Sequence, residues 1–400
     1  MALVAGVQFY VALESSLLLP LGPLLCRALS FGPEQLGYLN SAFLIAAAIA
    51  GLAGSLYLDR FERRAALGVA LGGLAICTAL AGLSVDLETV TACRFLAGLF
   101  GGPAAALGLA VIGDAAPAVY RARAIGAVAA GSGMAIILGV PLALTLADWI
   151  GWRPMLFFIG AVGAGLAIGA FLLLPRAAGK PSQGGDVLRQ AVGEFAAMLR
   201  HRDTVLVLSI TALVISSTLV MAANLAPYFV FNLGIPQTHL KYIWLAGGVF
   251  GLISSQGCSA LAHRFGPTRV LWALSGLTII TYGLLFMITP LVLPVIVLFC
   301  GFMVCANGRI LLANTIASLA SRAENRGRFM SLVSAANQTS SAAALILASL
   351  ILRISPSGAM IHVPYLGAFG IIAAAASPAL ASVLLRRNIL NSARKDIARS

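Results

Sequence analysis

Apolar positions in this chain run in long unbroken stretches instead of alternating with polar ones. Twelve such stretches stand out, at about 3–26, 36–57, 65–84, 88–112, 124–147, 153–174, 204–231, 239–262, 269–288, 291–318, 328–352 and 364–385. Each is close to the ~20 residues a helix needs to cross ~30 Å of hydrocarbon. A transmembrane barrel would show short alternating segments instead. The pattern predicts an all-α membrane protein with twelve transmembrane helices. The first stretch is long, lacks an A-x-A cleavage site and is followed by eleven more, so it reads as a spanning helix and not as a signal peptide.

The stretches divide into two sets of six. Residues 1–174 form a first six-helix bundle, 175–203 a polar linker, 204–386 a second bundle and 387–400 a tail. The linker carries Arg176, Lys180, Arg189, Arg200 and Arg202 around a Pro-Ser-Gln-Gly-Gly segment, and Val187–Leu199 has the pattern of a short amphipathic surface helix. A weak repeat relates the halves. Asp59-Arg60-Phe61 lies 204 residues before His263-Arg264-Phe265, and Arg121-Ala-Arg123 lies 205 before Arg326-Gly-Arg328. Parallel repeats of this kind are one sequence mark of secondary transporters.

Charge fixes an orientation. One set of loops, with the linker and tail, holds 20 Lys and Arg, whereas the other set holds 4: Arg27, Arg153, Lys241 and Arg353. The positive-inside rule then places the linker and both termini in the cytoplasm, with the chain in the inner membrane. Composition agrees: 60% of the 400 residues are hydrophobic and only 10% charged, too little charge to cover a soluble surface. The net charge of +13 does not imply nucleic-acid binding, because the basic residues sit between apolar stretches. The six cysteines form no CxxC pair and read as small buried thiols. The four histidines are scattered, and no HExxH, GxSxG or phosphate-loop pattern occurs. An enzyme, a metal site and a cofactor are therefore not expected.

Several motifs resemble the major facilitator superfamily over essentially the whole chain. Its signature in the loop after the second helix is Gly-x-x-x-Asp-Arg-x-Gly-Arg-Arg. Here that loop reads Ser55-Leu-Tyr-Leu-Asp59-Arg60-Phe61-Glu62-Arg63-Arg64, with both glycine slots changed. The fourth span opens Arg94-Phe-Leu-Ala-Gly98-Leu-Phe-Gly101-Gly102, which looks like the family's membrane-embedded arginine. The fifth carries Gly139-Val-Pro141-Leu, then Asp148-Trp-Ile-Gly151-Trp152-Arg153. This is similar to the antiporter motif of the drug:proton antiporter branch and its sugar and purine efflux permeases. Glu14 followed by Leu18-Leu19-Pro20 also occurs in that group.

Glu14 lies near the middle of the first span, ~16 Å along the helix axis from residue 3. A carboxylate there costs at least ~2.5 kcal/mol on insertion scales, so it is a candidate proton carrier, with a structural acid bonded to a neighbouring helix as the alternative. Arg94 cannot give up its charge and needs a partner or water. The resemblance implies that it faces the cavity near the first helix and senses whether Glu14 is ionised; snorkelling to the outer interface is the alternative. Tyr10 lies one turn from Glu14 on the same face and is a candidate substrate contact. In the second half Arg309 has no acidic residue in its own spans. An anionic substrate, Glu14 across the cavity, cytoplasmic water or backbone carbonyls could satisfy it. Asn224, Tyr228, Gln256, Asn307, Asn337 and Gln338 are candidate ligand contacts, each equally able to bond another helix. Asp59, Arg60 and Arg63 form a candidate latch between conformations, against the alternative of solvated charges that only set topology. Gly139 and Pro141 are candidates for close packing and a bend that separates inward-open from outward-open states.

The expected function is export of a small organic solute by a monomer, through alternating access driven by the proton gradient. Uptake or facilitated exchange of a small, possibly anionic, metabolite is the alternative, and a non-transporting sensor or assembly partner is a remote one. Export rests on the motif of the fifth span, and the sequence does not name the solute.

Overall fold

The computed structural model describes residues 2–57, 61–115, 131–174, 193, 197–287, 294–320, 326–355 and 359–397. The first span comes as two helices, α1 (Ala2–Ser16) and α2 (Leu18–Ala28), bent by 44° about Leu17. The cause is Pro20, which has no N–H to give the Ser16 carbonyl and whose ring crowds it. Then follow α3 (Leu36–Tyr57), α4 (Arg63–Ala81), α5 (Leu87–Ala115), α6 (Val140–Ile150) and α7 (Trp152–Leu173). A π-helical turn, Ala135–Gly139, precedes α6, where Pro141 interrupts the regular ladder.

The second half holds α8 (Arg202–Pro227), α9 (Leu240–Phe265), α10 (Pro267–Tyr282), α11 (Val295–Ala320), α12 (Arg326–Ile351) and α13 (Val363–Ile397). Two short strands, β1 (Arg353–Ile354) and β2 (Met360–Ile361), pair antiparallel between α12 and α13. The last helix runs on to Ile397, through most of the segment expected as a tail. The proposed surface helix at 187–199 and most of the linker lie outside the described residues.

Ten helical segments are long and apolar enough to span a membrane, and the bent α1–α2 pair makes an eleventh. The twelfth, α12, has the length (26 residues) but is more polar. Its serines, Asn337, Gln338 and Thr339 explain why hydropathy alone passes over it.

The two halves repeat one packing plan. In the first, α3 lies on α5, and α4 on α5 and α7; in the second, α9 lies on α11, and α10 on α11 and α13. The materials differ. Glycines permit close approach in the first half: a Cβ at Gly98 or Gly102 would strike the backbone carbonyl of Phe43 or Ala47 on α3. Aromatic rings fill the second, where Phe229, Trp244, Phe299, Phe302, Tyr282 and Phe286 pack edge-on or stacked at centroid distances of 4.7–6.5 Å. Among the described residues the halves meet mainly where α3 packs on α12, α6 on α9 and α2 on α8.

Candidate functional site

Glu14 and Arg94, 80 residues apart in sequence, meet between α1 and α5. Arg94 Nη1 donates to Glu14 Oε2 at 3.1 Å, and Nη2 donates to the Glu14 backbone carbonyl at 2.7 Å. Glu14 is 0% and Arg94 3% exposed. Two opposite charges in hydrocarbon are tolerable because each neutralises the other. The pair is not saturated. Among the described residues, Glu14 Oε1, Arg94 Nε and the Tyr10 hydroxyl find no partner in good hydrogen-bond geometry. Tyr10 fills the space a Cβ at Gly163 would take, and Thr78, which donates to the Leu74 carbonyl at 2.9 Å, lies beside both Tyr10 and Glu14.

Phe43 of α3 covers this pair. The Arg94 guanidinium carbon lies 4.4 Å from the Phe43 ring centroid, a cation–π contact. Phe43 also lines a cavity of about 590 Å³. One wall comes from α1, α3 and α5, the other from α12, with Leu219 of α8 between. On α12 the lining residues Ser331, Ser334, Gln338, Ser341 and Leu345 recur at three- and four-residue spacing, the period of one helix face. The polarity of α12 is thus a wall facing a cavity.

In the second half Arg309 of α11 is 0% exposed. Its Nη1 donates to Ser217 Oγ of α8 at 2.7 Å and its Nη2 to Ser377 Oγ of α13 at 3.2 Å. Tyr282 of α10 donates to the Ser217 carbonyl at 2.8 Å. Among the described residues no carboxylate lies within ion-pair distance of Arg309. Neither cytoplasmic water, nor backbone carbonyls, nor Glu14 satisfies it, and it does not line the cavity.

Most other candidates are satisfied locally. Asn224 donates to the Val220 carbonyl at 3.0 Å and Asn307 to that of Met303 at 2.9 Å, each four residues back on its own helix. Tyr228 donates to the Leu285 carbonyl at 3.2 Å and packs against Phe286. Gln256 of α9 is exposed, and the backbone carbonyl of Asn337 accepts the Ser341 hydroxyl at 2.7 Å. None of these lines the cavity; Gln338 does. Gly139 packs against α1, where a Cβ would lie 3.0 Å from Phe9 and 3.1 Å from Leu13. Pro141 is buried one turn before Thr145, whose hydroxyl donates to its carbonyl at 2.8 Å. Arg63 opens α4, while Asp59 and Arg60 lie outside the described residues.

The basic-poor end is tied shut across the halves. Asp148 of the α6 end accepts Lys241 of α9 at 3.0 Å, Arg27 lies 5.6 Å from the Phe231 ring centroid, and Gly37 of α3 leaves no room for a Cβ against the Leu345 carbonyl of α12. The Gly151-Trp152-Arg153 segment braces the same end. Gly151 turns at φ +89°, a conformation that favours glycine, and Arg153 donates to the Ser84 carbonyl at 2.9 Å. From Leu19 and Leu345 the cavity runs toward Gly51 and Met330, at the basic end.

Twelve spans, a doubled packing plan and a cavity between two bundles suggest a family, and the sequence profile of the Major Facilitator Superfamily matches residues 4–344. The chain belongs to the Major Facilitator Superfamily. It is a multi-pass membrane protein of that transporter family. A probable sugar efflux transporter of Mannheimia succiniciproducens is 30% identical over 42% of this chain and 40% of its own. A chloramphenicol efflux pump of Mycobacterium tuberculosis is 24% identical over 69% of this chain and 65% of its own. The chain thus spans less than two thirds of the length of these curated relatives. Among solved structures, a nucleoside transporter superposes with a TM-score of 0.75 over 96% of this chain and 98% of its own at 13% identity. The inward-open xylose transporter of Escherichia coli superposes with 0.68 over 94% of each at 18%. At these identities the likeness is one of superfamily fold.

Proposed function

We propose that the protein exports a small organic solute across the inner membrane by alternating access, exchanging it for a proton carried by Glu14. The observation that carries this reading is the buried Glu14–Arg94 pair lying behind Phe43, whose other side lines the cavity. Protonating Glu14 removes the charge that holds Arg94. Arg94 then seeks other acceptors, and the Phe43 ring resting on it shifts in the cavity wall. A proton from one side and a solute from the other thereby act on one element and compete through it.

With linker and termini cytoplasmic, the basic-poor end is the outside. On this orientation the tied end faces outward and the cavity faces the cytoplasm, which supports loading of solute from inside. The names of the efflux relatives support export and suggest chloramphenicol and simple glycosides as first probes. The test is flux of these probes in everted vesicles with and without a pH gradient. Wild type is expected to accumulate a probe only with the gradient, and Glu14→Gln to lose that dependence. Full gradient-driven flux in Glu14→Gln would sink the carrier role. A single membrane carboxylate also suits facilitated exchange, which would keep equilibrating a probe after the gradient is collapsed.

A further inference from the structure

The cavity wall states which solutes fit it. Among its described lining residues there is no Asp, Glu, Lys, Arg or His. The buried charges among the described residues lie off this lining: Arg94 is held by Glu14 and capped by Phe43, and Arg309 donates to Ser217 and Ser377. Among the described lining residues an anion meets no cation, and a cation meets no carboxylate. Either would leave water uncompensated, which is costly.

The polar groups that remain are neutral, and their commitments differ across the cavity. On the first-half wall Gln8 donates its amide nitrogen to the Ala105 carbonyl at 2.9 Å, and Asn40 donates to the Leu36 carbonyl at 2.8 Å. Ser15 spends its only proton on the Ala12 carbonyl at 2.9 Å. Gln8 and Asn40 each keep a second N–H and an oxygen, and Ser16 makes no hydrogen bond to a described residue, so this wall offers a guest both donors and acceptors. On the α12 wall Ser334 and Gln338 make no hydrogen bond to a described residue and can donate or accept. The first-half wall also carries apolar surface from Phe43, Leu44 and Ala47 of α3 and Ala105 and Ala106 of α5.

We propose that the cavity selects an uncharged solute carrying both hydroxyl or amide groups and an apolar face, and rejects carboxylate- and phosphate-bearing solutes. The volume of about 590 Å³ lies within the range of sites for drug-sized molecules. This deepens the transport reading, since it takes the cavity as the solute's path, but it is tested by binding alone.

The experiment uses purified full-length protein in detergent and matched pairs that differ by one charge: phenyl β-glucoside against phenyl β-glucuronide, and chloramphenicol against its hemisuccinate. Equilibrium dialysis reads affinity and thermal shift reads stabilisation. An uncharged member is expected to bind about 100-fold or more tightly than its carboxylate mate, the penalty for an unpaired buried charge. Gln338→Leu is expected to weaken the uncharged member about 3- to 10-fold, one neutral hydrogen bond. Gln338→Lys, which adds a cation to the wall, is expected to narrow or reverse the preference. A carboxylate mate that binds as well as its partner overturns the proposal, as does failure of every pair to bind a protein that keeps its melting transition. Uncharged probes that bind but show no gradient-driven flux in liposomes would overturn the transport reading and leave the binding class intact.

Discussion

Among the described residues each half buries one arginine, and the two halves satisfy it differently. Arg94 has a carboxylate, Glu14, on the first helix of its repeat. Arg309 has a serine, Ser217, on the first helix of its own. Ser217 lies 203 positions after Glu14, within one of the offset of 204 that relates Asp59 to His263. The scaffold thus brings an arginine from the fourth helix to the first in both repeats, and supplies the counter-charge only once. A paired charge can be switched by one proton. A charge held by hydroxyls cannot, because no partner titrates near neutral pH. In the proposed mechanism, switching therefore belongs to the first half and a fixed brace to the second.

The largest effect should come from breaking the pair on one side. Arg94→Leu leaves Glu14 buried without a counter-ion and is expected to destabilise by about 3–5 kcal/mol, read as a lowered melting temperature in detergent. Adding Glu14→Leu to it should recover much of that loss. If the double variant melts no higher than the single one, the pair is not the unit proposed. Arg309→Met makes the opposite case: it removes a charge with no counter-ion, so stability should change little or rise, and gradient-driven flux should persist. A loss of gradient dependence in Arg309→Met would place switching in the second half as well.

Smaller changes sharpen the contrast. Ser217→Ala deletes an acceptor from a buried guanidinium and should cost about 1.5–3 kcal/mol, with no change in the pH profile of transport. Tyr282→Phe removes the hydrogen bond to the Ser217 carbonyl and should cost about 1 kcal/mol. Lys241→Ala breaks the partly exposed cross-half pair with Asp148, worth about 0.2–1 kcal/mol. Its effect should appear less in melting than in easier labelling of a cysteine placed at the basic-poor end.

The fold was readable because hydrocarbon permits few lengths and few charges. The stretches predicted ten segments, the bent pair and α12, and the embedded Glu14 and Arg94 stood out because such charges are expensive. Their meeting was not readable from spacing. It depends on how α1 crosses α5, and only the resemblance suggested it. The polar candidates of the second half misled for a local reason. Asn224 and Asn307 spend their amides on carbonyls of their own helices, so their polarity says nothing about a ligand. The better signal was a pattern on α12, where Ser334, Gln338 and Ser341 share one helix face in a span otherwise too polar to cross. Gln8 and Asn40 carried no such signal alone, and Phe43 looks in sequence like any core aromatic; its position over Arg94 gives it its role.

The break at Leu17 has a mechanical consequence. α1 packs on α5 of the first bundle, whereas α2 leans on α8 of the second, so the first span is a splint laid across the seam. α2 is ~16 Å long, and a 10° change in the bend would carry its far end by ~3 Å. Glu14 sits one turn from the fulcrum, where the same swing displaces it least. The lever can travel with one bundle while the carboxylate stays within reach of its arginine on the other.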